Sequence, residues 1–151
     1  MNNPTELRGR LQNVIEKAFP EANLPDEGEL FSADFVASRV FEAEELEWLS
    51  RKSWKALTRT EIEKHPAWLI YLTPKAFVYF LPAWLMYTLD YMDSGFPAQF
   101  IIGYLTDPPL EFRKALSKVQ CHTIRTWYNY LRLTSRVEKI PLPPMYLLQE
   151  N

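Results

Sequence analysis

Cys121 and His122 stand side by side, and a thiolate beside an imidazole is the usual starting point for acyl transfer. Neighbouring residues on a helix point about 100° apart, however, so adjacency in the chain does not make a dyad. Both residues are expected at the border of a basic helix face. His65 precedes Pro66 and suits a helix end or a packing role. The chain has one cysteine and two histidines in 151 residues, which excludes an intramolecular disulfide, a Cys-based zinc site and a His-rich metal cluster. Paired carboxylates are available at Glu42, Glu44, Glu45 and Glu47, but general acid work needs one of them desolvated in a pocket. A short helix with Glu at nearly every second position reads instead as a solvated acidic face. Gly-rich phosphate loops, His-Glu-x-x-His and Asp-rich calcium loops are all missing. No catalytic residue, metal ligand or cofactor site is therefore expected.

Charge is unevenly placed. Residues 1–50 hold four basic and eleven acidic side chains, and residues 51–151 hold thirteen and eight, for a net charge of −2. Asp26, Glu27 and Glu29, followed by Glu42, Glu44, Glu45 and Glu47, form an acidic stretch suited to docking a basic protein. Lys118, Arg125, Arg132 and Arg136 recur at helical spacing as a basic stripe, which could meet phosphates or an acidic protein surface. Without aromatics interleaved on the same face, the stripe is thin for single-strand binding. Nucleic acid or another anionic ligand is thus the second choice of partner.

The elements that must carry these residues are helical. Apolar residues make up 47% and aromatics 15%, enough for one sizeable core and too ring-rich for disorder. Four glycines against twelve prolines disfavour tight-hairpin β architectures and Gly-rich nucleotide folds. Thr5–Ala18 shows Leu7, Leu11, Val14, Ile15 and Ala18 on one helical face, and Pro20 ends it. Glu21–Glu29 reads as an acidic loop. Residues 30–40 have no clean period, and what little β structure is expected falls within residues 21–40. A short acidic helix follows at Glu42–Leu49. Thr58 and Glu61 form a capping box, as do Ser117 and Gln120. Thr73 caps a helix with Pro74 at its first position, running to about Met92. That helix is apolar nearly all round, with Phe77, Leu81, Trp84, Leu85 and Thr88 on one face and an expected kink at Pro82. Core packing is the first reading of this aromatic stretch, and an exposed remainder, Tyr79 and Tyr87, could form a binding patch. Short helices are expected at Phe96–Leu105 and Leu110–Leu116. The helix opened by Ser117 should bury Leu116, Val119, Thr123, Trp127, Tyr130 and Leu131.

The fold class expected is mainly α: a single-domain irregular bundle over residues 1–139 around a Pro-kinked central helix. An extended, Pro-rich tail over 140–151 should pack on it through Ile140, Leu142, Met145, Tyr146, Leu147 and Leu148. The charge-free run Ala76–Leu89 is fourteen residues long, short of the about 20 a membrane span needs. No membrane association is expected. The first residues lack a basic segment leading into an apolar one, so no signal peptide is expected, and the lone cysteine suits the cytoplasm.

Leu72, Thr73, Pro74, Phe77, Tyr79, Phe80, Leu81, Pro82, Ala83, Trp84 and Leu85 resemble the recurring motif of a family of small uncharacterised bacterial proteins, a domain of unknown function. Trp54 with Thr58–Lys64, Leu116-Ser117 with Gln120, and Ile15–Pro20 extend the similarity over roughly residues 10–133, with departures at 21–50 and in the tail. The resemblance implies a shared structure and no particular reaction. By analogy with small, acidic bacterial proteins lacking enzyme motifs, the function expected is a non-catalytic protein-binding module. Its concrete form would be an immunity protein that neutralises a cognate contact-dependent or polymorphic toxin domain.

Overall fold

The computed structural model describes residues 3–33, 49, 52–91, 95–135 and 139–148, apart from the side chains of Glu27 and Tyr91. The fold is mainly helical. Its described helices are α1 (Pro4–Ala18), α2 (Arg59–Lys64), α3 (Pro74–Tyr91), α4 (Phe96–Thr106), α5 (Leu110–Ala115) and α6 (Lys118–Thr134). Single 3-10 turns lie at Glu27–Glu29, Trp54–Ala56, Trp68–Tyr71 and Met145–Leu148. Extended pairing among the described residues comes down to one antiparallel bridge, Phe31 with Leu72. Of the helix expected at Glu42–Leu49 only Leu49, which is buried, is described, and the expected end of the central helix at Met92 lies outside the described residues.

Local capping chemistry starts these helices. The Asn3 side chain accepts from the Glu6 amide at 2.8 Å to open α1. At α2 the Thr58 hydroxyl accepts from the Glu61 amide (3.2 Å) while the Glu61 carboxylate accepts from the Thr58 amide (3.1 Å), completing the capping box. Ser117 and Gln120 do the same at α6. Thr73 accepts from the Ala76 amide at 3.2 Å, and Pro74 occupies the first position of α3. Gly95 precedes α4 at φ +103°, a conformation that L side chains rarely adopt.

Helix α3 is the centre of the core and packs against α1, α4, α5 and the turns at Trp54–Ala56 and Trp68–Tyr71. Phe77, Phe80, Leu81, Trp84 and Leu85 are fully buried. Pro82 lacks the amide that would bond the Val78 carbonyl, yet the helix continues to Tyr91. Packing on every side outweighs the roughly 3 kcal/mol that proline costs a helix interior.

The rings are tied in through their polar atoms, as large buried aromatics require. Trp54 Nε1 donates to the Phe19 carbonyl (3.0 Å) and Trp84 Nε1 to the Pro66 carbonyl (2.9 Å). Trp127 Nε1 donates to Thr88 Oγ1 at 2.7 Å, and that hydroxyl donates to the Leu85 carbonyl at 2.7 Å. Tyr128 and Tyr146 donate to the carbonyls of Ile102 (3.0 Å) and Leu105 (2.6 Å), joining α6 and the C-terminal segment to α4. Burial pushes the Tyr128 hydroxyl up to about 12 and raises Tyr146 further.

Several packing expectations are corrected. Val14 is partly exposed and Val119 is 62% exposed, while Cys121, Ile124 and Tyr128 are buried in their place on α6. On α6 the alternative apolar edges satisfy helical spacing almost equally, and α1 and the Met145–Leu148 turn decide which one is covered. In the C-terminal segment Ile140, Tyr146 and Leu147 join the core, but Leu142, Met145 and Leu148 face outward. Tyr79 and Tyr87 form no exposed patch. Both are buried and donate to the Glu21 carbonyl and the Glu63 carboxylate, each at 2.8 Å.

Candidate functional site

The acidic stretch is visible only in part. Glu42, Glu44, Glu45, Glu47 and the Glu27 side chain lie outside the described residues. Asp26 is exposed, and its carbonyl accepts from the Glu29 amide within the 3-10 turn. Glu29 is bound to the start of α3: its carboxylate takes Lys75 Nζ at 2.9 Å and its carbonyl accepts from the Thr73 hydroxyl. The hydrogen bond and charge of Lys75 hold the Glu29 carboxyl below its ordinary range. This carboxylate pins a loop to a helix.

Three of the four residues of the basic stripe lie on the described part of α6. Lys118 and Arg132 are exposed and Arg125 is half-buried at its edge, while Arg136 lies outside the described residues. The Arg125 guanidinium is 2.9 Å from His122 Nδ1. Arginine can only donate, so Nδ1 accepts there. From Lys118 to Thr134 the chain contains no Asp or Glu. Among the described residues no ion pair involves Lys118, Arg125 or Arg132.

Beside this stripe runs a feature that spacing did not reveal. Helix α1 lies against α6 with its C-terminal end at the α6 N-terminus, where Gln120 Nε2 donates to the Ala18 carbonyl at 3.1 Å. Between the two helices is a groove of about 230 Å³, lined by Leu7, Arg10, Leu11 and Val14 from α1 and by Thr126, Asn129, Tyr130 and Leu133 from α6. Leu133 is 79% exposed and Val14 38%. Arg10 and Lys17 stand exposed on the α1 side, and Arg125 and Arg132 lie beyond the α6 side. The available signal was Leu133, an apolar residue off the buried face of a helix with no carboxylate.

A second hollow, of about 370 Å³, lies between α1, α3 and the 53–62 segment. Trp54, Leu57, Ile62, Ala83 and Met86 supply apolar walls, and Glu16, Lys55, Arg59 and Asp90 stand around them. These charges are engaged: Lys55 with Glu16 at 3.9 Å, Arg59 with Glu63 at 3.2 Å, and Asp90 with Arg8. The hydroxyl of Tyr87 and the charge of Arg59 outweigh desolvation and lower the Glu63 carboxyl, so it stays ionised at neutral pH. A general acid needs the opposite shift.

Cys121 and His122 diverge as helical neighbours must, with Cys121 turned toward the core beside Arg125 of the basic stripe. It is buried, and burial raises its thiol against the lowering charge of Arg125. His122 is exposed. His65 closes α2, its amide donating to the Glu61 carbonyl at 3.0 Å, and its ring meets Trp68 edge-on at 4.9 Å. Among the described residues no group of three or more His, Cys, Asp or Glu could hold a metal ion, and no helix is long and apolar enough to cross a membrane.

The architecture defines a small all-helical domain with a charged exterior and an aromatic core. The chain belongs to a family of unknown function (DUF6714), whose model matches residues 8–140. No curated protein and no solved structure matches it.

Proposed function

We propose that this chain is a non-catalytic protein-binding module whose partner docks on the face formed by α1 and α6. The single observation that carries the reading is the exposure of Leu133 and Val14 in an apolar groove bordered by cations. Exposed apolar residues grouped in a groove with a charged rim are the usual make-up of a docking site. Elsewhere, many of the rings and charges that could serve a ligand are engaged within the fold, as the indole and phenol hydrogen bonds show.

The particular form we favour is a cytoplasmic bacterial immunity protein that blocks a cognate contact-dependent or polymorphic toxin domain by occupying it. The acidic stretch from Asp26 to Glu47 enters this proposal as a second surface, suited to a basic face of the same partner. The test is affinity purification from the native cell with wild type and a Val14→Asp/Leu133→Asp variant. A partner held by the wild type, lost from the variant and rendered harmless by co-expression with the wild type supports the reading. A partner held equally by both variants removes the α1–α6 face from the function.

A further inference from the structure

We infer that the occupant of the α1–α6 groove is an acidic amphipathic helix of a partner protein, a conclusion that rests on the docking face proposed above and adds the chemistry of its ligand. Three observations lead there. First, the groove floor is apolar, with Leu7, Leu11, Val14, Tyr130 and Leu133 lying along two packed helices. A groove between paired helices accepts a third helix through apolar side chains at i, i+4 and i+7. Second, Arg10 stands in the groove wall, and the two helices that form the groove carry further cations, with Lys17 exposed on α1 and, on α6, Arg132 exposed and Arg125 half-buried. Among the described residues none of these four forms an ion pair within the chain. Third, the two helices that form the groove carry few carboxylates. Helix α6 has none, and α1 carries two, Glu6 in its first turn and Glu16, which pairs with Lys55 and lines the other hollow.

A helix with leucines on its inner edge and glutamates on both flanks meets each of these features at once. The leucines cover Val14 and Leu133, and the glutamates reach guanidinium and ammonium groups that pair with no carboxylate among the described residues. A nucleic-acid backbone would use the cations and leave the apolar floor uncovered. A basic helix would bury its own charge against four like charges.

The experiment uses the full chain and three fluorescent probes: an amphipathic helical peptide with leucines at i, i+4, i+7 and i+11 flanked by glutamates, the same peptide with lysines for the glutamates, and a short DNA duplex. The acidic peptide is expected to bind, to weaken as salt rises, and to lose about tenfold or more in affinity, roughly 1.4 kcal/mol, with Leu133→Asp. Arg125→Glu/Arg132→Glu should weaken the acidic peptide and admit the lysine peptide. Circular dichroism shows whether each variant is folded, and Leu133→Ser serves if the aspartate variant is not.

Duplex binding that ignores Leu133, with no binding of the acidic peptide, overturns the inference and leaves the stripe as a polyanion site. Equal binding of the two peptides, or acidic-peptide binding unaffected by Leu133→Asp, overturns it as well. Loss of the native partner from the groove variant together with no binding of the acidic peptide sinks the occupant's chemistry and leaves the docking face standing. Acidic-peptide binding together with undiminished native capture by the variant does the reverse.

Discussion

Helices α3 and α6 are nearly equal in length and put their residues to opposite use. In α3 neighbours arrive on several sides, and residues of nearly every face from Ala76 to Thr88 are buried or half-buried. In α6 Cys121, Ile124, Trp127, Tyr128 and Leu131 are buried, while Lys118, His122, Asn129, Arg132 and Leu133 are not. The two helices meet at Trp127, whose indole donates to Thr88. The difference teaches where recognition can reside. A surface whose side chains are already committed to packing and hydrogen bonds has little left for a partner, whereas α6 offers cations and a large apolar side chain beside the seam with α1.

The sharpest way to break the contrast is to truncate one ring in α3. Trp84→Ala should destabilise the domain by about 3–5 kcal/mol, because it opens a large cavity and strips the Pro66 carbonyl of its donor. Denaturant unfolding measures this, and a loss near that of a surface substitution would show that α3 is not the core. Thr88→Val comes next, at about 1–3 kcal/mol, since the buried Trp127 N–H loses its acceptor with little change of volume.

An alkaline titration sharpens the same comparison at the α6–α4 seam. The folded-state value of Tyr128 is raised to about 12, above the ordinary phenol value of about 10. Its contribution is therefore complete below pH 10 and is lost as pH rises toward 12, because the unfolded chain releases the proton first. Unfolding midpoints should fall over that window, and the advantage of wild type over Tyr128→Phe should shrink across it. A constant difference would mean that the buried hydroxyl is not what titrates. The smallest expected effect on stability is at Leu133→Asp, within about 0.5 kcal/mol, because its side chain is mostly in water. A loss of several kcal/mol there would show that the groove is core and not a docking face.

Much of the helical framework was legible. The capping pairs Thr58 with Glu61 and Ser117 with Gln120, and the Thr73-Pro74 start, act within four residues of chain and need no partner element. The all-round apolar character of α3 also read correctly as a central position. Less of the candidate site was legible. The stripe of Lys118, Arg125 and Arg132 came directly from helical spacing, but the groove beside it did not, because half of it belongs to α1. Val14 and Val119 looked buried since each continues an apolar row. The core packing of the aromatic stretch that holds Tyr79 and Tyr87 was legible, but their hydrogen-bond partners, Glu21 and Glu63, lie on distant segments.

The sequence by itself determined where the helices begin, which helix is central, and that α6 would carry cations at helical spacing and no carboxylate. Those properties depend on hydrogen bonds and spacings within a few residues. The tertiary structure decided which apolar edge of α1 and of α6 is covered, that Tyr79 and Tyr87 are locked to Glu21 and Glu63, and that Leu133 stands in water beside Val14. Burial is set by which distant element comes to rest on a face, and several faces here were apolar enough to receive one.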